Sequence, residues 1–160
     1  MSNLEIRPAS IQDSGLILRL ITDLAIFEKA EDAVIATVSD IEQTLFGEGS
    51  TTRALICELS GQAVGFAVYF FNYSTWLGKH GLYLEDLYVS PQYRGLGAGK
   101  ALLVYLAKIA VSNQCGRIEW SVIDWNEPAI EFYKSLGAEP QPEWVPYRLT
   151  GQALTDLAEN

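Results

Sequence analysis

A glycine-rich stretch carries the residue types and spacing that point most directly to chemistry. Residues 93–100 read Tyr-Arg-Gly-Leu-Gly-Ala-Gly-Lys, between a predicted strand over Leu82–Val89 and a predicted helix over Ala101–Val111. Glycines let backbone N–H groups approach an anion closely, and the start of a helix adds unpaired amides and a positive dipole end. The stretch therefore predicts a loop that binds the diphosphate of a nucleotide-like ligand. A glycine-rich turn without a ligand is the alternative.

Spacing excludes two common phosphate loops. A Walker loop has four residues between its first glycine and a Gly-Lys pair, and Ser or Thr follows that pair. Here only three residues separate Gly95 from Gly99, and Ala101 follows Lys100. A dinucleotide fingerprint requires glycine at the position of Lys100. The pattern Arg94-x-x-Gly97-x-Gly99 instead resembles the pyrophosphate loop of the GNAT superfamily of acetyl-CoA-dependent N-acetyltransferases.

A second motif, over residues 126–138, strengthens this resemblance. It reads Asn-x-x-Ala-x-x-Phe-Tyr-x-x-x-Gly-Ala and is similar to the cofactor-side helix of the superfamily. Together with segments 6–9, 76–79 and 83–89, it makes the chain resemble the diamine (spermidine/spermine-type) branch from about Leu4 to Leu149. The resemblance implies transfer of an acetyl group from acetyl-CoA to a primary amine of a small cationic substrate, a polyamine or diamine, by direct attack in a ternary complex. A thialysine-like amino acid, a protein amine and a non-catalytic acyl-CoA-binding regulator remain alternatives.

The resemblance also assigns the cofactor site. It implies that two splayed strands admit acetyl-CoA, that backbone groups of the first strand pair with the pantetheine arm, and that an N–H near Leu87 polarises the thioester carbonyl. The implied cofactor residues are Leu87, Tyr88, Val89, Arg94, Gly95, Leu96, Gly97, Ala98, Gly99, Lys100, Asn126, Ala129 and Tyr133.

Amine acetylation requires a proton acceptor, because an alkylammonium with a pKa of about 10 is almost wholly protonated at neutral pH. Glu85 and Asp86 lie on the strand that enters the loop and are the candidates. Adjacent strand residues point to opposite faces, so only one aims at the reacting centre unless a bulge redirects the other. Glu85 is predicted to be the base, and it also matches a residue thought to contact substrate in the diamine branch.

The departing thiolate requires a proton or a hydrogen bond, and Tyr133 is predicted to supply it through its phenol. Helical spacing places Asn126, Ala129 and Tyr133 on one face, where the small alanine leaves room for a ligand. For the substrate, cation-π contact and carboxylates suit an amine chain. The predicted substrate residues are Phe27, Glu28, Glu85, Asp86 and Trp120, although the diamine branch has tyrosine where this chain has Phe27.

Composition limits the class of protein and its partners. A chain of 160 residues with 49% hydrophobic and 19% charged residues suits one globular domain over residues 1–160, and its apolar runs are too short to cross a bilayer. The net charge of −9 disfavours nucleic acid and anionic membranes and favours a cationic substrate. Unpaired Cys57 and Cys115, and an amino terminus without a signal core, lead us to expect a cytoplasmic location. We expect no metal site, and apolar residues of the hairpin and the final strand suggest a homodimer.

The order of predicted elements indicates an α+β domain with a mixed, mostly antiparallel sheet flanked by helices. Hydrophobic periodicity and turn residues predict each element. The predicted strands are Leu4–Arg7, Arg53–Leu59, Gln62–Phe71, Leu82–Val89, Arg117–Ile123 and Val145–Leu149. The predicted helices are a first one ending near Phe27, then Ser39–Phe46, Ala101–Val111 and Glu127–Leu136.

Overall fold

A computed structural model describes residues 3–160. Met1 and Ser2, the start of the segment expected to carry no export signal, lie outside the described residues. The chain forms two compact units, one up to Ser121 and one from Val122 to Asn160. The expectation of a single domain therefore stays a prediction, and each unit is described by itself.

The first unit contains a five-stranded sheet and three helices. The sheet order is β1-β2-β3-β4-β5, in which only β4 and β5 are parallel. This confirms the predicted α+β class and the mixed, mostly antiparallel sheet. The strands are β1 (Leu4–Pro8), β2 (Arg53–Leu59), β3 (Gln62–Ser74), β4 (Lys79–Val89) and β5 (Ile118–Trp120). The helices are α1 (Ser14–Phe27), α2 (Val38–Leu45) and α3 (Ala98–Ser112).

Helix α1 covers one face of the sheet. Its Ile17 and Leu20 are fully buried and pack with Ile56 of β2 and Phe66 of β3 in one hydrophobic cluster. The β2–β3 hairpin turns at Ser60 and Gly61, which both have positive φ as a two-residue hairpin turn requires. Helix α3 packs against β4, β3 and β1. The predicted hairpin and first helix are thus confirmed.

Strand β5 is shorter than predicted. Only Ile118–Trp120 pairs with β4, opposite Leu82–Leu84, whereas the sequence pattern predicted a strand over Arg117–Ile123. The ladder stops at Leu84, where β4 changes its register with β3. No strand among residues 3–160 pairs with β4 on the β5 side beyond that point. The pairing of β4 with β5 thus ends at Leu84, and the splay between the two strands stays a prediction.

The second unit contains α4 (Glu127–Ser135) and α5 (Gly151–Ala158). The α4 prediction is confirmed, but the predicted final strand over Val145–Leu149 is wrong, and α5 was not predicted. Apolar residues alternate at 145, 147 and 149 as in a strand, but a strand needs a pairing partner, and Pro146 has no N–H to offer one. No strand within residues 3–160 pairs with this segment. None of the helices in that range is long and apolar enough to span a bilayer.

Candidate active site

The glycine loop joins β4 to α3 in the way its spacing predicted. A short turn over Pro91–Tyr93 follows β4, and Gly95 and Gly97 then adopt φ of 81° and 87°. A side-chain carbon built on either glycine would meet no atom within 4 Å, so open space lies directly over the loop backbone. The two glycines therefore leave room for an anion against the main chain.

Helix α3 begins at Ala98, three residues before the predicted start, because Gly97 acts as its N-cap in a left-handed conformation. The N–H of Ala101 is bonded to the carbonyl oxygen of Gly97 at 2.9 Å. The amides of Ala98, Gly99 and Lys100 belong to the first turn, which has no carbonyl one turn earlier to accept them. These donors and the open space over the glycines fit a diphosphate group such as that of CoA.

Strand β4 carries a β-bulge at Glu85. Tyr69 pairs with Leu84 while its neighbour Val68 pairs with Asp86. Adjacent residues of β3 point to opposite faces, so Leu84 and Asp86 also do, although an unbroken strand would place them on the same face. The bulge turns Asp86 toward the face of Val68, which packs against the core under α1. The bulge thus redirects the Asp86 carboxylate away from the face that an unbroken strand would give it.

Asp86 lies in a strongly perturbing environment. Burial, followed by the charges of Glu85 and Glu28, raises the pKa of the Asp86 carboxyl from 3.8 to about 6. Burial also raises the pKa of Glu28, which caps the end of α1. Glu85 is exposed, whereas Asp86 and Glu28 are half-buried. Glu85 and Glu28 therefore lie close enough to Asp86 to repel its carboxylate, and a bound cation would relieve that repulsion.

Arg94 connects the glycine loop to the end of α1, where Phe27 precedes Glu28. Its guanidinium carbon lies 4.8 Å from the ring centre of Phe27 and 5.7 Å from that of Tyr88. Its Nε donates a hydrogen bond to the carbonyl oxygen of Val89 at 3.0 Å. The aromatic residue predicted to face the substrate is thus held against the loop predicted to hold the cofactor. The sequence did not predict this contact, because residues 27 and 94 are distant in the chain and no motif links them.

The edge of β4 that leads to the loop is open. Leu87, Tyr88 and Val89 pair with β3 on one side and with no described strand on the other. Trp120 lies half-buried on β5 as the pairing partner of Leu84, next to the bulge. The first unit therefore contains the open edge of β4 and the side chains predicted to bind the substrate or the cofactor near it: Phe27, Glu28, Glu85, Asp86, Arg94 and Trp120.

Helix α4 of the second unit presents the other predicted motif. The side-chain oxygen of Asn126 accepts a hydrogen bond from the N–H of Ala129 at 3.4 Å and so caps the helix. Spacings of three and four residues place Asn126, Ala129 and Tyr133 on one face. Gly137, at a φ of 91°, ends the helix while the N–H of Ala138 bonds to the carbonyl oxygen of Tyr133 at 3.2 Å. The Gly-Ala ending of the motif therefore stops α4 just beyond Tyr133.

The cysteines and a possible metal site are two further features about which the sequence made predictions. Cys57 is buried and Cys115 is half-buried, and both are free thiols. Among residues 3–160 there is no group of three or more His, Cys, Asp or Glu side chains arranged to hold a metal ion.

Comparison with known proteins agrees with this geometry. The profile of the Acetyltransferase (GNAT) family matches residues 20–138. Thialysine N-epsilon-acetyltransferase of Bos taurus is 37% identical over 169 residues, covering 99% of both chains. Spermidine/spermine N(1)-acetyltransferase-like protein 1 of Homo sapiens is 38% identical over 168 residues, which cover 99% of this chain and 24% of the human protein. An integron cassette protein of V. cholerae has a solved structure that superposes with a TM-score of 0.82 at 28% identity and covers 98% of each chain.

The chain therefore belongs to the GNAT family of acetyltransferases. It is an N-acetyltransferase, and members of this family use acetyl-CoA as the acetyl donor.

Proposed function

We propose that this N-acetyltransferase transfers an acetyl group from acetyl-CoA to the primary amine of a small cationic substrate, a polyamine or diamine, which attacks the thioester directly in a ternary complex. The observation that carries this proposal is the group of three carboxylates formed by Glu85 and Asp86 of β4, the strand that leads into the glycine loop, and by Glu28 at the end of α1. Acidic side chains at this place favour a positively charged amine.

For the cofactor, we propose that Gly95, Gly97 and the first amides of α3 hold the diphosphate, and that Leu87 to Val89 pair with the pantetheine arm. The open space over the glycines and the unpaired edge of β4 support this assignment. Acetyl-CoA supplies an acyl group activated as a thioester. The N–H near Leu87 would donate a hydrogen bond to the carbonyl oxygen of that thioester.

For the proton, we propose that the Glu85–Asp86 pair accepts it from the ammonium group. Glu85 remains our candidate for the base, directly or through a water molecule. The pKa of about 6 at Asp86 supports a role for that carboxylate too, because a group with such a pKa is mostly ionised at neutral pH yet is a stronger base than an ordinary carboxylate. Phe27, Glu28 and Trp120 would then hold the rest of the amine chain.

For the leaving group, we propose that Tyr133 donates its phenol proton to the thiolate as the carbon–sulfur bond breaks. The position of Tyr133 on the same face of α4 as Asn126 and Ala129 supports this role. The attacking nitrogen loses a second proton as the amide forms, and that proton, carried through solvent, restores the phenol. The proton taken up by the carboxylates then passes to solvent, so each acetyl transfer releases one proton, as the conversion of an ammonium group to an amide requires.

A thialysine-like amino acid is a second candidate substrate. It is favoured by the relative named thialysine N-epsilon-acetyltransferase, which is 37% identical and covers 99% of this chain. Both candidates carry the primary ammonium group that the carboxylates would hold. They differ at the far end of the molecule, where a polyamine has a second ammonium group alone and an amino acid has an ammonium group next to a carboxylate.

Kinetics of two carboxylate variants test the proposed roles. Glu85→Gln and Asp86→Asn should lower kcat/KM most at neutral pH and recover in part at higher pH, where more of the amine is free. Asp32→Asn, which removes an exposed carboxylate elsewhere, should match wild type at every pH. If both variants keep wild-type kcat/KM at neutral pH, the pair neither accepts the proton nor anchors the amine.

We also propose a homodimer in the cytoplasm. Val145 and Tyr147, which alternate along the segment before α5, are 71% and 95% exposed, and apolar surface of this kind suits a second copy of the chain. Two free cysteines suit a reducing compartment. Light scattering at micromolar concentration should give twice the mass of the chain. The mass of a monomer at that concentration would contradict the proposed dimer.

A further inference from the structure

A cavity of about 410 Å³ lies in the first unit, where β1 ends and β2 begins. Its volume falls in the range of small-molecule pockets, which is roughly 300–1,000 Å³. Its walls combine apolar residues with one cation and one phenol: Pro8, Ala9, Leu45, Ala54, Arg53 and Tyr69. None of these residues belongs to the acetyl-transfer site described above.

Arg53 brings a positive charge that no acidic side chain neutralises. One of its terminal nitrogens donates hydrogen bonds to the carbonyl oxygens of Ser50 at 2.8 Å and Thr52 at 3.2 Å. No carboxylate among residues 3–160 forms an ion pair with it. In a chain with a net charge of −9, such a guanidinium is anchored to the backbone with donors still free for a ligand.

Tyr69 adds a neutral donor beside that cation. It is only 7% exposed, and its hydroxyl forms no hydrogen bond within residues 3–160. No fully buried side-chain oxygen or nitrogen in that range lacks a partner, so the hydroxyl is not fully buried, and Tyr69 is one of the residues that line the cavity. Arg53 and Tyr69 are direct partners across β2 and β3, which places their side chains on the same face about 5 Å apart at the β-carbons.

We propose that this cavity binds a small organic monocarboxylate with a short apolar body. The guanidinium and the phenol O–H would both donate to the carboxylate group, in the charge-assisted arrangement that arginine favours. Pro8, whose partner Leu55 lies on the same face of the sheet as Arg53 and Tyr69, would contact the apolar body. A single cation in an acidic protein suits a singly charged ligand better than a doubly charged phosphate.

Calorimetric titration with benzoate tests this site, with the protein saturated with CoA so that the phosphate loop is blocked. We expect saturable binding of one benzoate per chain. Neutral benzamide, which has the same shape, should bind at least about tenfold more weakly because a charged hydrogen-bonded group is lost.

Two variants locate the site, and a third serves as the matched control. Arg53→Gln and Tyr69→Phe should each weaken benzoate binding by about tenfold or more. Tyr69→Phe removes only the hydroxyl, so the packing of the aromatic ring is kept. Arg19→Gln removes an exposed arginine of α1 and should leave benzoate binding unchanged. The proposal is overturned if benzoate does not saturate, if benzamide binds as well, or if both cavity variants bind like wild type. None of these results would affect the acetyl-transfer proposal, because the two sites share no residue.

Discussion

Replacing Asp86 with asparagine should stabilise the protein, and should do so more at high pH. The pKa of Asp86 is raised from 3.8 to about 6 in the folded chain, so folding disfavours its ionised form. The resulting cost is absent below pH 3.8 and complete above pH 6. Linkage gives a cost of about 2 kcal/mol at pH 5 and about 3 kcal/mol at pH 8.

Asparagine does not titrate, so the variant escapes this cost while any packing change it causes stays the same at both pH values. The gain in the free energy of unfolding should therefore be larger at pH 8 than at pH 5 by about 1 kcal/mol. Urea unfolding of wild type and variant at the two pH values measures this difference directly.

Asp32→Asn is the matched control, because it removes an exposed carboxylate, and its effect should be equal at both pH values. If Asp86→Asn changes stability equally at pH 5 and pH 8, the Asp86 carboxylate is not desolvated and repelled in the way the bulge implies.

Three further changes probe the cofactor loop and the proton donor. Gly97→Val should weaken CoA binding at least about tenfold in calorimetry, because its side chain would fill the anion space, whereas Gly61→Val has the same left-handed backbone and should bind CoA normally. Arg94→Gln should cost about 0.5–1 kcal/mol of stability by urea unfolding and raise the apparent KM for the amine, since it releases Phe27 from the loop; an unchanged KM would show that the contact is not needed. Tyr133→Phe should keep CoA affinity but lower kcat by roughly 10²- to 10⁴-fold, and a wild-type rate with chemistry rate-limiting would make Tyr133 a packing residue.

The elements that the sequence predicted well have local causes. The β2–β3 hairpin follows from two apolar runs around Ser60-Gly61, and α4 follows from a capping Asn126 and a closing Gly137. The failures depend on partners distant in sequence. The pairing of β5 with β4 ends where β4 changes its register with β3, and the segment around Pro146 has a strand-like pattern but no pairing strand among residues 3–160.

In the candidate site, too, local features could be predicted from the sequence and contacts between distant residues could not. Glycine spacing predicted the open loop between β4 and α3, because a backbone that leaves room for an anion requires glycine at fixed positions, and the binding of a diphosphate there stays a prediction. The environment of Asp86 could not be predicted, since the bulge that turns it toward α1 appears only when β3 is paired with β4. The contact of Arg94 with Phe27 likewise joins residues that only the folded chain brings together.

The most direct test of the central claim is acetyl transfer by the purified protein to a matched pair of amines. With acetyl-CoA present, thiol release and mass detection of the acetylated amine should show that a diamine is a far better substrate than a neutral-tailed monoamine of equal length. The KM for the diamine should rise with salt, because the carboxylates of Glu28, Glu85 and Asp86 attract the cation through a screened interaction. Equal use of both amines without a salt effect would contradict the claim that these carboxylates select the substrate.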